Sequence, residues 1–247
     1  MTTTASPQAD TADPVVDPVV DPVVDAAPTP TPAATTEPAL SVALREGTRE
    51  QHGQAEGMAF VERLLAGDLD RAAYTALAVQ QLAIYTALER AGAELRAAGG
   101  DHGLVFDELT RVPAIERDLA FLVGTDWADR VTFLPATRAY AERLAACSSD
   151  LATYAAHAYT RYLGDLSGGQ VVKRMVQRHY GLSDEGVAFY DFPEIHKLKP
   201  FKDVYRERLD RLPLDADQRA AVVAEAQVAF SLNQRMFAEL GERHLPA

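Results

Sequence analysis

The segment from Arg161 to Gln170 most constrains what this chain can fold into. It reads Arg-Tyr-Leu-Gly-Asp-Leu-Ser-Gly-Gly-Gln, and it sets three glycines inside a stretch whose flanks are periodic and compatible with a helix. A glycine inside a helix costs about 1 kcal/mol relative to alanine. We therefore expect the bare backbone at Gly164, Gly168 and Gly169 to serve a purpose, which a flat, bulky ligand lying against it would explain.

Helical geometry gathers the chemistry of this segment on one side. At about 100° per residue, Gly164 and Gly168 lie within about 40° of each other. Arg161 and Asp165 fall on the same side. This face would present two patches without side chains, one acid and one base. Two other interpretations stay open, namely a close helix–helix contact through small residues and a helix that ends at the second and third glycines.

The sequence beyond residue 38 predicts a single all-α domain, residues 39–247. Alanine, leucine, arginine and glutamate dominate there, and no convincing alternating strand pattern occurs. The helix that carries the glycines is expected to be the longest and to be kinked. Helices are predicted at 40–56, 58–66, 71–97, 114–123, 135–146, 150–180, 200–211 and 215–242.

Residues 1–38 have a different composition. They hold eight prolines and six acids, lack glycine, aromatic and basic residues, and repeat Asp-Pro-Val-Val three times. Such a segment cannot bury a core, so we expect a disordered acidic tail. A solubilising extension is the expected role of the tail, and docking to a partner is the alternative.

Charge and cysteine content narrow the class of protein. The net charge of −12 gives nucleic-acid binding no electrostatic support. The single cysteine, Cys147, excludes a disulfide framework within one chain and fits a reducing compartment. No apolar run approaches the ~20 residues of a membrane-spanning helix, and the N-terminus lacks a signal-peptide pattern. We therefore expect a cytoplasmic protein without a membrane span.

The first predicted helix carries a base, an imidazole and a carboxylate along one edge. Arg45 lies about 20° from His52 around the helix, and Glu56 follows His52 by one turn. An imidazole there can bind iron, and a carboxylate at its other nitrogen would fix the tautomer. The alternative is a half-buried histidine beside a surface acid.

Three further positions are candidates for a site. Lys202 and Arg206 lie one turn apart and can anchor carboxylates, or they form an ordinary solvated face. Asn233 falls in an apolar stripe of the last helix, where its amide must find partners. Tyr85 lies on the inner stripe of its helix, where a core tyrosine is the default interpretation.

Five separated segments, in order along the chain, resemble those of the haem oxygenases. Tyr159–Gln170 resembles the distal-helix signature, and Thr48–Glu56 is similar to the proximal-helix motif. Phe201–Arg206 resembles the segment that binds the haem propionates. Phe230–Phe237 is similar to the segment that closes the distal pocket, and Ile84–Glu89 to the segment whose tyrosine joins the distal hydrogen-bond network.

The resemblance implies a role for each candidate residue. His52 would be the axial ligand of the haem iron, with Glu56 as its partner. Asp165 would order the water that protonates bound O₂, held by three further residues, Arg161, Tyr85 and Asn233. The propionate contacts would come from Arg45, Tyr159, Lys202 and Arg206, and the other haem contacts from Gly164, Ser167, Gly168, Phe230 and Phe237. The family usually carries lysine where Arg45 stands, which keeps the charge but changes its reach.

The resemblance also implies an activity and its partners. The chain would use O₂ and electrons to open haem, which is both substrate and cofactor, to biliverdin, carbon monoxide and ferrous iron. The electrons would come from a ferredoxin or a flavoprotein reductase, and a monomer is the family default. Two alternatives remain at this point. One is a haem carrier or sensor without turnover, and the other is a helical enzyme of the same fold that acts on a different small molecule.

Overall fold

The computed structural model describes residues 37–245 and confirms the predicted all-α fold class. No strand occurs between these residues. The predicted tail, residues 1–38, lies outside the described residues except for its last two positions. None of the helices between residues 37 and 245 combines the length and the apolar character that a membrane-spanning helix needs.

The described part of the chain forms eleven α-helices and four short turns of other helical types. The α-helices are α1 (Leu40–Gly47), α2 (Arg49–Glu56), α3 (Ala59–Ala66), α4 (Arg71–Ala97), α5 (Val112–Leu122), α6 (Trp127–Arg130), α7 (Pro135–Ala145), α8 (Leu151–Ala158), α9 (Gly168–Tyr180), α10 (Leu198–Asp210) and α11 (Ala216–His244). The short turns are three 3-10 turns, Asp107–Leu109, Ala146–Ser149 and Ala188–Tyr190, and one π-helical turn, Tyr159–Leu163.

Capping side chains fix where the two longest helices begin. The Asp70 carboxylate accepts a 2.9 Å hydrogen bond from the Ala73 backbone N–H at the start of α4. Asp215 and Gln218 form a reciprocal capping box at the start of α11. A cap satisfies backbone donors that a helix terminus leaves unpaired, and each is worth about 1 kcal/mol.

The domain packs around α4 and α11. Helix α4 contacts α5, α7 and α8, while α11 contacts α1, α2, α3, α7 and α8. Ile84 and Leu88 of α4 and Val222 of α11 are fully buried. Burying an apolar side chain of this size contributes about 1.5–3 kcal/mol. The two helices thereby form a stable frame for the polar residues that they carry.

The structure divides the predicted helix 40–56 at Thr48. The backbone there has φ −110° and ψ 6°, and the Thr48 hydroxyl donates a 2.7 Å hydrogen bond to the Leu44 carbonyl oxygen. Back-bonding by a threonine bends a helix, which explains the break. Helix α2 is therefore a separate element that carries His52 and Glu56.

The predicted helix 150–180 is broken at the glycine segment. Helix α8 passes into the π-helical turn Tyr159–Leu163, and the chain leaves helical geometry at Ser167, with φ −123° and ψ −83°, before α9 begins. The expected kink is confirmed. The expectation that this helix is the longest is wrong, because the break shortens it and α11 has 29 residues.

Candidate active site

A cavity of about 970 Å³ brings most of the predicted site residues together. Its volume is at the upper end of the ~300–1,000 Å³ that small-molecule sites occupy. The lining residues come from α1 to α4, the broken segment with the start of α9, the turn at Tyr190, Arg206 of α10, and α11. All of the predicted site residues except Tyr85 and Lys202 line this cavity.

The bare backbone of the broken segment borders open space. A Cβ atom at Gly164 or at Gly168 would meet no atom within 4 Å, and both residues line the cavity. A close helix–helix contact is therefore not the reason for these two glycines. Gly169 differs, because a Cβ there would lie 3.2 Å from Cδ1 of Tyr190. The first two glycines leave room for a ligand, and the third leaves room for a tyrosine.

His52 presents its imidazole to the same cavity. Its side chain is 56% exposed, and its Nδ1 atom lies 3.6 Å from Oε2 of Glu56. That distance is longer than an ordinary hydrogen bond but leaves the carboxylate facing Nδ1. The Phe230 ring packs edge-on against the imidazole, with centroids 5.8 Å apart. Because Glu56 faces Nδ1, the other ring nitrogen, Nε2, is the one that could bind a metal ion.

A continuous hydrogen-bond network connects α4, the broken segment and α11. The Tyr85 hydroxyl donates to Oδ2 of Asp165. Nε of Arg161 donates to the Tyr85 oxygen at 3.3 Å, and Nη1 donates to Oδ1 of Asn233 at 2.9 Å. Tyr85 lies behind the cavity surface, while the other three residues border the cavity. The four residues that the resemblance grouped are thus in contact.

Burial and charge set the protonation of this network. Burial raises the pKa of Asp165, and the opposing effects of Arg161, Tyr85 and Arg111 limit the rise to about 6. Burial lowers the pKa of Arg161, but its interactions with Tyr85 and Asp165 outweigh this and hold the pKa above its usual value. At neutral pH, Arg161 is a cation and Asp165 is mostly ionised but close to its titration range.

Cations lie at the exposed rim of the cavity. Arg45 and Arg206 both line the cavity, with side chains 69% and 42% exposed. Burial raises the pKa of Tyr159, and the nearby Arg206 and Arg45 lower it in part. Nζ of Lys202 donates a 3.0 Å hydrogen bond to the Ser167 hydroxyl, which borders the cavity. In an acidic protein, this rim is a local site for an anionic group.

Aromatic side chains of α11 complete the cavity. Phe230 and Phe237 both line it, and the Phe237 ring stacks on Phe60 with centroids 6.3 Å apart. These contacts give the cavity an apolar surface beside its polar network. His157 is fully buried outside the cavity, with Nε2 2.8 Å from Oε1 of Glu225 on α11.

Sequence reasoning missed a group of residues that support the site. Arg49, Gln81 and Tyr190 line the cavity. Arg111 and Asp118 are buried and hold the Ala188–Tyr190 turn, Arg111 by donating to the Phe189 carbonyl oxygen and Asp118 by accepting from the Phe189 N–H. Gln81 precedes Tyr85 by one turn, so its helix face could have indicated it. No local pattern indicates the other contacts, which depend on tertiary packing.

The fold and the cavity define a class of protein before any comparison. A helical protein with one open imidazole, exposed glycine backbone and a cationic rim is suited to a flat, anionic ligand that binds through a metal.

Comparisons with known proteins identify the family. The heme oxygenase family model matches residues 38–239. A heme oxygenase of Pyropia yezoensis is 39% identical over 201 residues, covering 81% of this chain and 84% of the relative. Heme oxygenase 1 of a Synechocystis species is also 39% identical, covering 78% of this chain and 81% of the relative. The chain belongs to the haem oxygenase family.

A solved structure agrees with this assignment. The crystal structure of heme oxygenase-1 from Synechocystis in complex with heme matches with a TM-score of 0.79 and 37% sequence identity. The match covers 83% of this chain and 94% of that chain.

Proposed function

We propose that haem occupies the described cavity, with His52 as the axial ligand and the backbone of Gly164 and Gly168 against the other face. The observation that carries this proposal is that the imidazole and the two bare glycines line one cavity. As a haem oxygenase, the chain is an enzyme that opens haem to biliverdin, carbon monoxide and ferrous iron. Bound haem supplies the iron at which O₂ is activated, and the chain supplies position, protons and exclusion of bulk water.

The residues present fit haem in size, charge and ligand type. The cavity volume of about 970 Å³ suits a large flat ligand. A neutral imidazole is the side chain that most often binds haem iron, and Glu56 faces the nitrogen that would remain free. Haem carries two propionates, and Arg45 and Arg206 are cations that line the cavity.

Asp165 is proposed to hold water in the cavity, from which the reaction takes its protons. Its Oδ2 atom is committed to Tyr85, whereas Oδ1 has no protein donor among residues 37–245. An ionised carboxylate with one free oxygen on a cavity wall binds and orients water. Arg161, which is fixed by Tyr85 and Asn233, balances the charge and holds the carboxylate in place.

The cationic rim is proposed to set the orientation of haem in its plane. Arg45, Tyr159, Lys202 and Arg206 would contact the propionates, and this would decide which meso carbon faces Asp165. Ser167 accepts from Lys202 and would be displaced or shared when a propionate binds. Fixed geometry of this kind converts binding energy into positional selectivity.

The electrons are proposed to come from an external donor, a ferredoxin or a flavoprotein reductase. Arg45 and Arg206 line the cavity and Lys202 lies beside it, so a donor with an acidic surface would dock near the haem edge. We infer a cytoplasmic location, because the one cysteine, Cys147, is buried and unpaired. A monomer is proposed as the default of the family.

A haemin titration followed by a turnover assay tests the proposal. The purified chain should bind one haemin with a sharp Soret band, which then decays into a biliverdin absorbance when reductant and catalase are present. His52→Ala should lose the Soret signature of a histidine-bound iron, whereas His196→Ala, at an exposed loop position, should behave as the wild type. A stable complex that never decays, even with ferredoxin and its reductase, would favour a haem carrier.

A further inference from the structure

Gln81 and Tyr190 form a polar pair in the cavity that the proposed mechanism does not use. Gln81 lies on α4, one turn before Tyr85, and Tyr190 ends the turn Ala188–Tyr190. Both line the cavity, and their residues are 8% and 3% exposed. The Gln81 side chain lies close enough to the Tyr190 hydroxyl to lower the pKa of that group in part, against the larger effect of burial. A buried polar pair beside a ligand cavity is costly to maintain unless its hydrogen bonds are made.

The position of Tyr190 is fixed by several contacts. Nε2 of Gln170 donates a 2.9 Å hydrogen bond to the Tyr190 carbonyl oxygen, and the Phe189 ring lies edge-on at 4.7 Å between centroids. The absent side chain of Gly169 lets the tyrosine ring approach the broken segment. Asp118 holds the turn by accepting from the Phe189 N–H at 2.8 Å. The hydroxyl is therefore presented to the cavity by a rigid support.

Asp165 is the neighbouring acceptor that remains available. The charged groups that face Tyr190 are Asp165, Asp118 and Arg161. Both oxygens of Asp118 accept backbone N–H groups, and Arg161 donates to Tyr85. Oδ1 of Asp165 has no protein donor in the described part of the chain, and Asp165 borders the same cavity. A water molecule between the two groups would satisfy both.

We propose that the Tyr190 hydroxyl, oriented by Gln81, donates a hydrogen bond to the cavity water that Asp165 binds. The inference rests on the proposed function of Asp165. A Gln81 amide N–H that donates to the Tyr190 oxygen would leave the hydroxyl hydrogen free to point into the cavity. Water that is held by Asp165 and by Tyr190 has fewer orientations than water held by one group alone. Gln81 and Tyr190 are thus positioning residues that form a second polar arm of the distal network.

The test is an NMR titration of Asp165 in the full chain without haem, using aspartate labelled with carbon-13 at the carboxyl group. The Asp165 resonance is assigned by its loss in Asp165→Asn. Tyr190→Phe keeps the ring and removes the hydroxyl. Because a donor to the bound water favours the ionised carboxylate, Tyr190→Phe should raise the pKa of Asp165 by about 0.3 to 1 unit. Gln81→Met should raise it in the same direction by less.

Two control variants give the largest and the smallest change expected in the pKa of Asp165. Tyr85→Phe removes the direct donor to Asp165 and should raise the pKa of Asp165 more than Tyr190→Phe does. Tyr180→Phe removes a hydroxyl that donates to the Leu64 carbonyl oxygen, and it should leave the titration unchanged. The unfolding temperature of each variant shows that it is folded.

An Asp165 titration in Tyr190→Phe that coincides with that of the wild type would overturn the inference. Haem turnover by Asp165→Asn is measured separately. A turnover defect there, together with an unshifted titration in Tyr190→Phe, would reject the second polar arm and keep the proposed role of Asp165. Normal turnover by Asp165→Asn would reject that role itself.

Discussion

The Tyr85 hydroxyl donates a hydrogen bond to Oδ2 of Asp165, which joins two positions 80 residues apart in the sequence. Tyr85 is fully buried on α4, within the frame of the domain. Asp165 lies in the broken segment between the π-helical turn and α9. The core helix thereby fixes the acid of a segment that is not itself a regular helix. The predictions that follow depend on this link and on the cavity beside it.

Asp165→Asn should bind haem but produce little biliverdin. The amide keeps the size of the side chain and removes the carboxylate that orients water, and loss of such a proton-transfer group typically costs about 10²–10⁴-fold in rate. The measurement is the haemin affinity together with the rate of biliverdin formation. Asp184→Asn, at an exposed position outside the cavity, is the matched control. Normal biliverdin production by Asp165→Asn would contradict the account.

Turnover should fall as the pH falls through about 6. Burial raises the pKa of Asp165 to about 6, so the carboxylate is ionised above this value and protonated below it. Tyr85→Phe removes a donor that favours the ionised form, and the acid limb of the profile should therefore move to higher pH. The measurement is the pH dependence of turnover at saturating haem, with haem affinity followed in parallel. A limb that stays in place, or moves to lower pH, would be inconsistent with this assignment.

Gly164→Ala should stabilise the fold but weaken the binding of haem. The residue has helical backbone angles and open space at the Cβ position, so alanine fits and should raise the free energy of unfolding by up to about 1 kcal/mol. The same methyl group would occupy space that haem needs, and overpacking of about 1–3 kcal/mol corresponds to a loss of roughly 5- to 150-fold in haemin affinity.

Gly53→Ala is the matched control for this change. Gly53 lies in α2, also has open space at its Cβ position, and does not line the cavity. It should gain stability without losing affinity for haemin. Equal haemin affinities for Gly164→Ala and Gly53→Ala would show that haem does not lie against Gly164.

The sequence predicts the long elements well and the breaks between them poorly. Helix α4 is predicted at its observed bounds, because 27 periodic residues begin at an aspartate cap. The break at Thr48 depends on one side-chain hydrogen bond to Leu44, and a helix-compatible threonine gives no sign of it. Helix α6 is a single turn, Trp127–Arg130, which is too short for periodicity to reveal.

Some residues of the candidate site could likewise be predicted from the sequence, and others could not. Asp165, Arg161 and His52 belong to segments with unusual local chemistry, and the resemblance locates them. Gln81 and Tyr190 are brought together from positions 109 residues apart by the packing of a turn that Arg111 and Asp118 hold. A helix face or a motif cannot report a contact of that kind, since it exists only after the domain has folded.

Charge reversal at the rim should change which biliverdin isomer forms. Lys202→Glu combined with Arg206→Glu replaces two cations near the cavity by acids, and propionates would be repelled from that edge. The isomer composition of the product, separated by chromatography, is the measurement. Lys199→Glu with Arg211→Glu reverses two exposed cations of the same region and should leave the composition unchanged. If both double variants gave the same isomer composition, the cations at the rim would not determine which meso carbon is attacked.

Glu225→Gln should destabilise the fold without altering the cavity. Burial raises the pKa of Glu225, but hydrogen bonds from His157 and Arg143 outweigh it and hold the pKa at about 2. The stabilisation is present at neutral pH and is lost as the pH falls below the usual range of glutamate toward 2. The substitution should lower the free energy of unfolding at pH 7 by about 1–3 kcal/mol.

Urea unfolding at neutral pH measures this effect. Glu94→Gln, which breaks an exposed pair with Arg90, is the control and should change the free energy of unfolding much less than Glu225→Gln does. If the two variants had equal free energies of unfolding, the buried pair of His157 and Glu225 would contribute no more to stability than the exposed pair does.

The crystal structure of the chain loaded with haemin tests the central claim most directly. The account predicts iron bound to Nε2 of His52, with the backbone of Gly164 and Gly168 against the opposite face of the ring. It also predicts Asp165 near the iron but not bound to it, with water between them. Iron bound to any other residue, or haem outside the cavity that His52 and the two glycines line, would contradict the account.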